Sequence, residues 1–171
     1  MSLAQSLLAL RPRLLHLSDR LAFLAPLLIR LTVGLVFATT GWGKLGNLEN
    51  TESFFRDLGI PMPGFNAVLV ASTELLGGLF LLVGLGARLV ALPLAFTMVI
   101  AILTAQREAL DGVVALAGFE EWSYLVMFLV IAIAGPGALS VDAWLARRFE
   151  RAQGAVPAAE QTHRAPAPGL G

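Results

Sequence analysis

Four ionisable residues, Arg30, Lys44, Glu74 and Arg88, stand in or at the edge of stretches that are otherwise apolar. A carboxylate in such a place can accept or relay a proton, and a guanidinium or ammonium can hydrogen-bond a ligand carbonyl or neutralise that carboxylate. Each is costly away from water unless it finds a partner, a water molecule or a shifted protonation state. The chain has no cysteine, and its two histidines, His16 and His163, lie near the two ends. That combination argues against disulfides, thiolate nucleophiles, haem, iron–sulfur clusters and metal centres. No glycine-rich phosphate loop, zinc-protease pair of histidines or calcium-loop spacing occurs, and a Ser–His–acid set has no imidazole available in the apolar stretches. Three classes remain: a membrane redox subunit acting through a quinone, a small-solute carrier or channel, and an assembly scaffold.

The elements that must position these residues are membrane helices. Of 171 residues 57% are hydrophobic and only 14% charged, and the mean hydropathy is +0.76, so a small soluble fold could not hide the apolar side chains. The expected class is all-α, an integral membrane four-helix bundle. A hydrocarbon core of about 30 Å needs roughly 20 helical residues, and four runs fit: about 24–45, 65–84, 88–105 and 122–139. The Gly84-Leu85-Gly86 turn forces the second and third into an antiparallel hairpin. These spans form a transmembrane domain over 21–139. Before it, residues 1–20 carry leucines at helical spacing, fitting an amphipathic helix or a leader kinked at Pro12. Between the first two spans, Asn50 or Thr51 can cap a short surface helix with Phe54, Phe55 and Leu58. After the fourth, residues 140–152 read as an amphipathic helix capped by Ser140, with Asp142 in its first turn, and 153–171 as a disordered tail.

Orientation follows from basic residues. Arg11, Arg13, Arg20, Arg88, Arg147, Arg148, Arg151 and Arg164 fall on one side of a four-span chain, and only Lys44, Arg56 and Arg107 on the other. The arginine-rich side, with both termini, is expected to be cytoplasmic. The zero net charge favours no nucleic-acid partner; the expected partner is the lipid bilayer, joined by a redox protein if the chain is the redox subunit.

Helical arithmetic then groups the anomalous residues. Arg30, Gly34, Phe37, Gly41 and Lys44 share one face of the first span, and Glu74 and Gly78 share a face of the second, with Gly77 beside them. The glycines allow close backbone approach, or leave room for a planar ring. Glu74 should pair with Arg30 or Lys44, and Arg30, the deeper cation, is the preferred partner. Such a pair could equally be a brace that fixes helix register. Gln106, Glu120 and Glu121, at the ends of spans, read as solvated loop residues.

The pattern Arg30-Leu-x-x-Gly34, Gly41-x-x-Lys44-Leu45, Leu58-Gly59-Ile60-Pro61, Glu74-x-x-Gly77-Gly78, Gly84-x-x-x-Arg88 and Gly135-Pro136-Gly137-x-x-Ser140-x-Asp142 resembles the DoxX family of small bacterial and archaeal membrane proteins. The resemblance covers about residues 27–146. It implies a four-helix bundle and, by the family's usual label, a membrane oxidoreductase component. Relatives are described as a subunit of thiosulfate:quinone oxidoreductase, and others are linked to membrane oxidative-stress complexes. Many members carry a histidine near the end of the third span, whereas Thr104 and Gln106 stand there in this chain. Together, the residue chemistry and the resemblance mark Glu74 as the candidate catalytic group and Arg30, Lys44 and Arg88 as candidate ligand-binding groups. Quinone is the expected cofactor. Gly34, Gly41, Gly77, Gly78, Gly135, Pro136, Gly137, Ser140 and Asp142 are expected to be structural.

Overall fold

The computed structural model describes residues 21–154; the expected leader over 1–20 and most of the expected tail lie outside the described residues. Among the described residues seven helices follow in order: α1 Leu24–Gly46, α2 Leu48–Asp57, α3 Pro63–Val83, α4 Ala87–Thr104, α5 Val113–Gly118, α6 Glu120–Ala134 and α7 Val141–Gly154. Among the described residues there is no strand. Helices α1, α3 and α4 are long and apolar enough to cross a membrane. The fourth, α6, was expected to run to Leu139 but stops at Ala134, because Gly135 and Gly137 take positive φ values of 86° and 82°. Its 15 residues span roughly 22 Å at the helical rise, less than the expected fourth crossing.

The helices pack as two close pairs, α1 on α3 and α4 on α6, which meet along the α3–α4 and α1–α6 seams. Val33, Phe37, Leu81, Leu94, Phe128 and Ile131 fill the centre, with Phe37 edge-on to Phe128 at 4.8 Å between ring centroids. Leu28, Leu35, Leu89, Phe96 and Ile133 point outward, so the bundle is apolar outside as well as inside. That pattern needs lipid as the surrounding solvent. The chain is a multi-pass, all-α membrane protein.

Glycines set how closely α1 and α3 approach. A Cβ on Gly41 would lie 2.8 Å from the Ala71 carbonyl oxygen, and one on Gly78 would lie 2.7 Å from the Gly34 carbonyl oxygen. Gly77 turns instead toward α4, where Leu94 occupies the space its side chain would need. The short α2 starts earlier than expected: Asn47, not Asn50 or Thr51, is its cap, the side-chain oxygen accepting from Asn50 N at 3.3 Å. The chain has already broken from α1 at Asn47, so this is the first side chain able to reach free amides. The α3–α4 turn forms as expected on a left-handed Gly84 (φ 72°), whose amide returns to the Phe80 carbonyl at 2.8 Å.

Candidate functional site

The four anomalous residues do not form one cluster. The structure divides them between the two ends of the bundle.

At one end, Glu74 pairs with Lys44 at 2.5 Å, not with Arg30, the partner preferred on depth. Both cations share the α1 face, but close packing of α1 on α3 fixes the register so that Glu74 lies opposite Thr40 and Lys44. The Thr40 hydroxyl donates to the second carboxylate oxygen at 3.3 Å. The Glu74 side chain is 4% exposed and that of Lys44 35%. Thr40 was missed in the sequence, although it stands four residues before Lys44 and therefore on the same helix face.

This pair lies on the wall of a cavity of about 800 Å³. The end of α1, the start of α3, the end of α4 and the start of α6 surround it, and Phe54, Phe55, Leu58 and the Gly59–Pro61 link from α2 cover it. The wall is mainly apolar, with Thr73, Thr97, Thr104 and Tyr124 adding hydroxyls. Tyr124, the chain's single tyrosine, also stacks edge-on against Phe37 at 5.4 Å. Glu120 and Glu121, read as loop acids, lie on this wall as well, and Gln106 donates to Glu121 at 3.1 Å. Their position at the first turn of α6 carries no periodicity signal, which is why the sequence did not assign them to the cavity.

At the opposite end Arg30, 3% exposed, donates to the carbonyls of Pro136 (3.1 Å) and Leu139 (2.8 Å). The break after α6 leaves those carbonyls without helical partners, and a buried guanidinium satisfies two of them at once. Arg88 leans over Gly135 and reaches the Ala134 carbonyl at 3.4 Å. Asp142 accepts from Gly86 N (2.8 Å) and Ala87 N (3.1 Å), so it caps α4 from another part of the chain. Ser140 caps α7 as expected, accepting from Ala143 N at 3.1 Å. A Cβ on Gly84 would strike the Cβ of Ser140 at 2.6 Å, so this turn needs glycine for space as well as for its backbone angle.

Arg30, Arg88 and Asp142 therefore tie the Gly135–Asp142 segment to the ends of α1 and α4. Asp142→Ala should lower stability by about 1–2 kcal/mol, the usual loss for a helix cap, and Asp57→Ala on the exposed surface should not. Thermal melting in detergent checks this; equal melting of the two variants would remove the cap's role.

The family model for DoxX matches residues 25–107. The chain is 36% identical over 124 residues to the inner membrane protein YqjF of Escherichia coli, covering 72% of this chain and 93% of that one. It is 33% identical over 118 residues to a Bacillus subtilis protein named "Putative oxidoreductase CatD", covering 68% and 83%. It is also 33% identical over 148 residues to the uncharacterized membrane protein Rv3486 of Mycobacterium tuberculosis, covering 80% and 89%. No solved structure gives a significant match. With the family model matched and relatives aligned over most of their lengths, this membrane protein belongs to the DoxX family.

Proposed function

We propose that the chain is a quinone-associated subunit of a membrane oxidoreductase complex, with the cavity beneath α2 as the head-group site. The observation that carries this reading is the Lys44–Glu74 pair set in the wall of an otherwise apolar cavity of about 800 Å³. A planar, uncharged ring with carbonyl edges fits such a place: apolar walls take its faces, and a few polar groups fix its orientation. A bound quinone would supply the redox chemistry, and the electrons would come from a partner protein. Lys44, more exposed than Glu74, can turn an N–H toward a ligand carbonyl, while Glu74 holds or accepts a proton beside it. The oxidoreductase name of the CatD relative supports the same class. A solute carrier is less well supported, because fully buried Val33, Leu81, Leu94 and Phe128 separate the cavity from the polar end at Arg30.

The test is binding in reconstituted vesicles. The native bundle should bind a short-chain quinone analogue saturably, and Glu74→Gln should impair partner-driven reduction far more than folding. Absence of saturable binding by the native protein would sink the reading and leave an assembly scaffold in its place.

The same proposal sets the cavity on the extracytoplasmic side and both termini in the cytoplasm, because the arginines gather at the other end. Single cysteines at Ser2, Glu52, Asp111 and Gln161 of this cysteine-free chain can be labelled from outside intact cells. Only those at Glu52 and Asp111 should react; strong labelling at Ser2 would overturn the orientation.

A further inference from the structure

We infer that the cavity opens sideways into the bilayer between α3 and α4, and that its occupant is a membrane-dissolved molecule with a neutral head and a long apolar tail. This deepens the reading of the cavity as a quinone site and rests on it. The cavity wall reaches the outer surface of both helices at that seam: Leu69 of α3, 49% exposed, and Phe96 of α4, 65% exposed, line the cavity and also face outward. Among the described residues no side-chain hydrogen bond or aromatic pair bridges α3 and α4 there. The α1–α6 seam differs, because Phe37 is packed edge-on against both Tyr124 and Phe128 across it. The top is covered by α2, whose Phe55 is buried and whose Phe54, also on the wall, is 51% exposed. The α3–α4 seam thus lacks such an aromatic lock, and the exposed side chains that frame it, Leu69 and Phe96, are apolar, suited to a tail and unsuited to a hydrated solute.

Head-group charge follows from the same wall. Glu74, Glu120 and Glu121 stand against one cation, Lys44, so an anionic head such as a fatty-acid carboxylate would meet like charge. A neutral ring with carbonyl or hydroxyl edges meets both a donor and acceptors. The opposite arrangement, access from the aqueous phase past α2, would suit a head without a tail.

The experiment uses the full chain in vesicles and two tritiated probes, a decyl-tailed benzoquinone and tail-less benzoquinone, with oleate as competitor. Leu69→Cys and Phe96→Cys, introduced together into the cysteine-free chain, are joined by a flexible bis-maleimide. The bridge should slow association of the tailed probe about tenfold or more while leaving the tail-less probe unchanged. In the native chain, half-saturation by the tailed probe should follow the probe-to-lipid ratio as vesicles are diluted, and oleate should not compete. Unchanged association of the tailed probe across the bridge, half-saturation that follows aqueous concentration, or effective competition by oleate would overturn the inference. Binding of the tail-less probe alone would also overturn it, while keeping the head-group site. If neither probe binds the native chain, the quinone reading itself fails and the side opening falls with it. Should the bridge abolish binding of both probes, the dilution series on the native chain decides.

Discussion

Gly78→Ala is expected to be among the most damaging single substitutions in the bundle, although alanine is the better helix former. The gain in intrinsic propensity is about 1 kcal/mol. Against it, the new methyl would lie 2.7 Å from the Gly34 carbonyl oxygen and 2.8 Å from Ala38 Cα, and it would press on the Ala38 backbone nitrogen as well. All of these are backbone atoms of α1, so no side-chain rotation relieves the clash and the two helices must separate. Overpacking of this kind costs about 1–3 kcal/mol and occasionally more, and the upper end applies because separating α1 from α3 also pulls Lys44 from Glu74. Gly43→Ala gives the contrast within α1: nothing lies within 4 Å of its added Cβ, so only the propensity gain remains. Melting in detergent should show Gly78→Ala well below the native chain and Gly43→Ala at or above it. Equal melting of the two would mean that α1 and α3 are not in this close register.

This contact was legible in part from the sequence. Gly34, Gly41 and Gly78 could be assigned to facing stripes because helical periodicity places them there, and that arithmetic holds whatever the neighbours are. Gly77 could not be separated from Gly78 in the same way, since adjacent positions on a helix differ by only about 100° and the choice between facing α1 or α4 depends on how the bundle closes. The same limit explains Arg30. Depth along α1 made it the preferred partner for Glu74, but the carbonyls it satisfies belong to Pro136 and Leu139, more than 100 positions away. Nothing local encodes a contact of that range. Asp142 is intermediate: its place in the first turn of α7 is a sequence signal for capping, yet the amides it caps are those of Gly86 and Ala87. The cavity was legible only as the pair of charges on its wall, because its walls come from four helices and its cover from α2.

Breaking the Lys44–Glu74 pair should have an asymmetric effect that depends on which partner is removed. Lys44→Met leaves the Glu74 carboxylate, 4% exposed, with the Thr40 hydroxyl as its remaining donor. Removing one partner of a buried pair costs about 3–5 kcal/mol, and Glu74 has little recourse to water, so a loss of several kcal/mol is expected. Glu74→Gln leaves Lys44, whose side chain is 35% exposed and flexible enough to carry its ammonium toward the aqueous end. Its cost should be the smaller of the two, discounted by that access to water. The double variant, Lys44→Met with Glu74→Gln, should melt above Lys44→Met alone, since the stranded charge is gone. A pair serving only as a brace and a pair serving a ligand make the same stability prediction, so the functional readout must be taken separately. Glu74→Gln should keep the fold and the cavity while removing the proposed proton acceptor, and Lys44→Met should weaken quinone-analogue binding even in vesicles where the protein remains folded. If Lys44→Met and Glu74→Gln destabilise equally and the double variant shows no recovery, the two residues are not coupled, and the cavity's polar wall must be reassigned to Thr40, Tyr124 and Glu121.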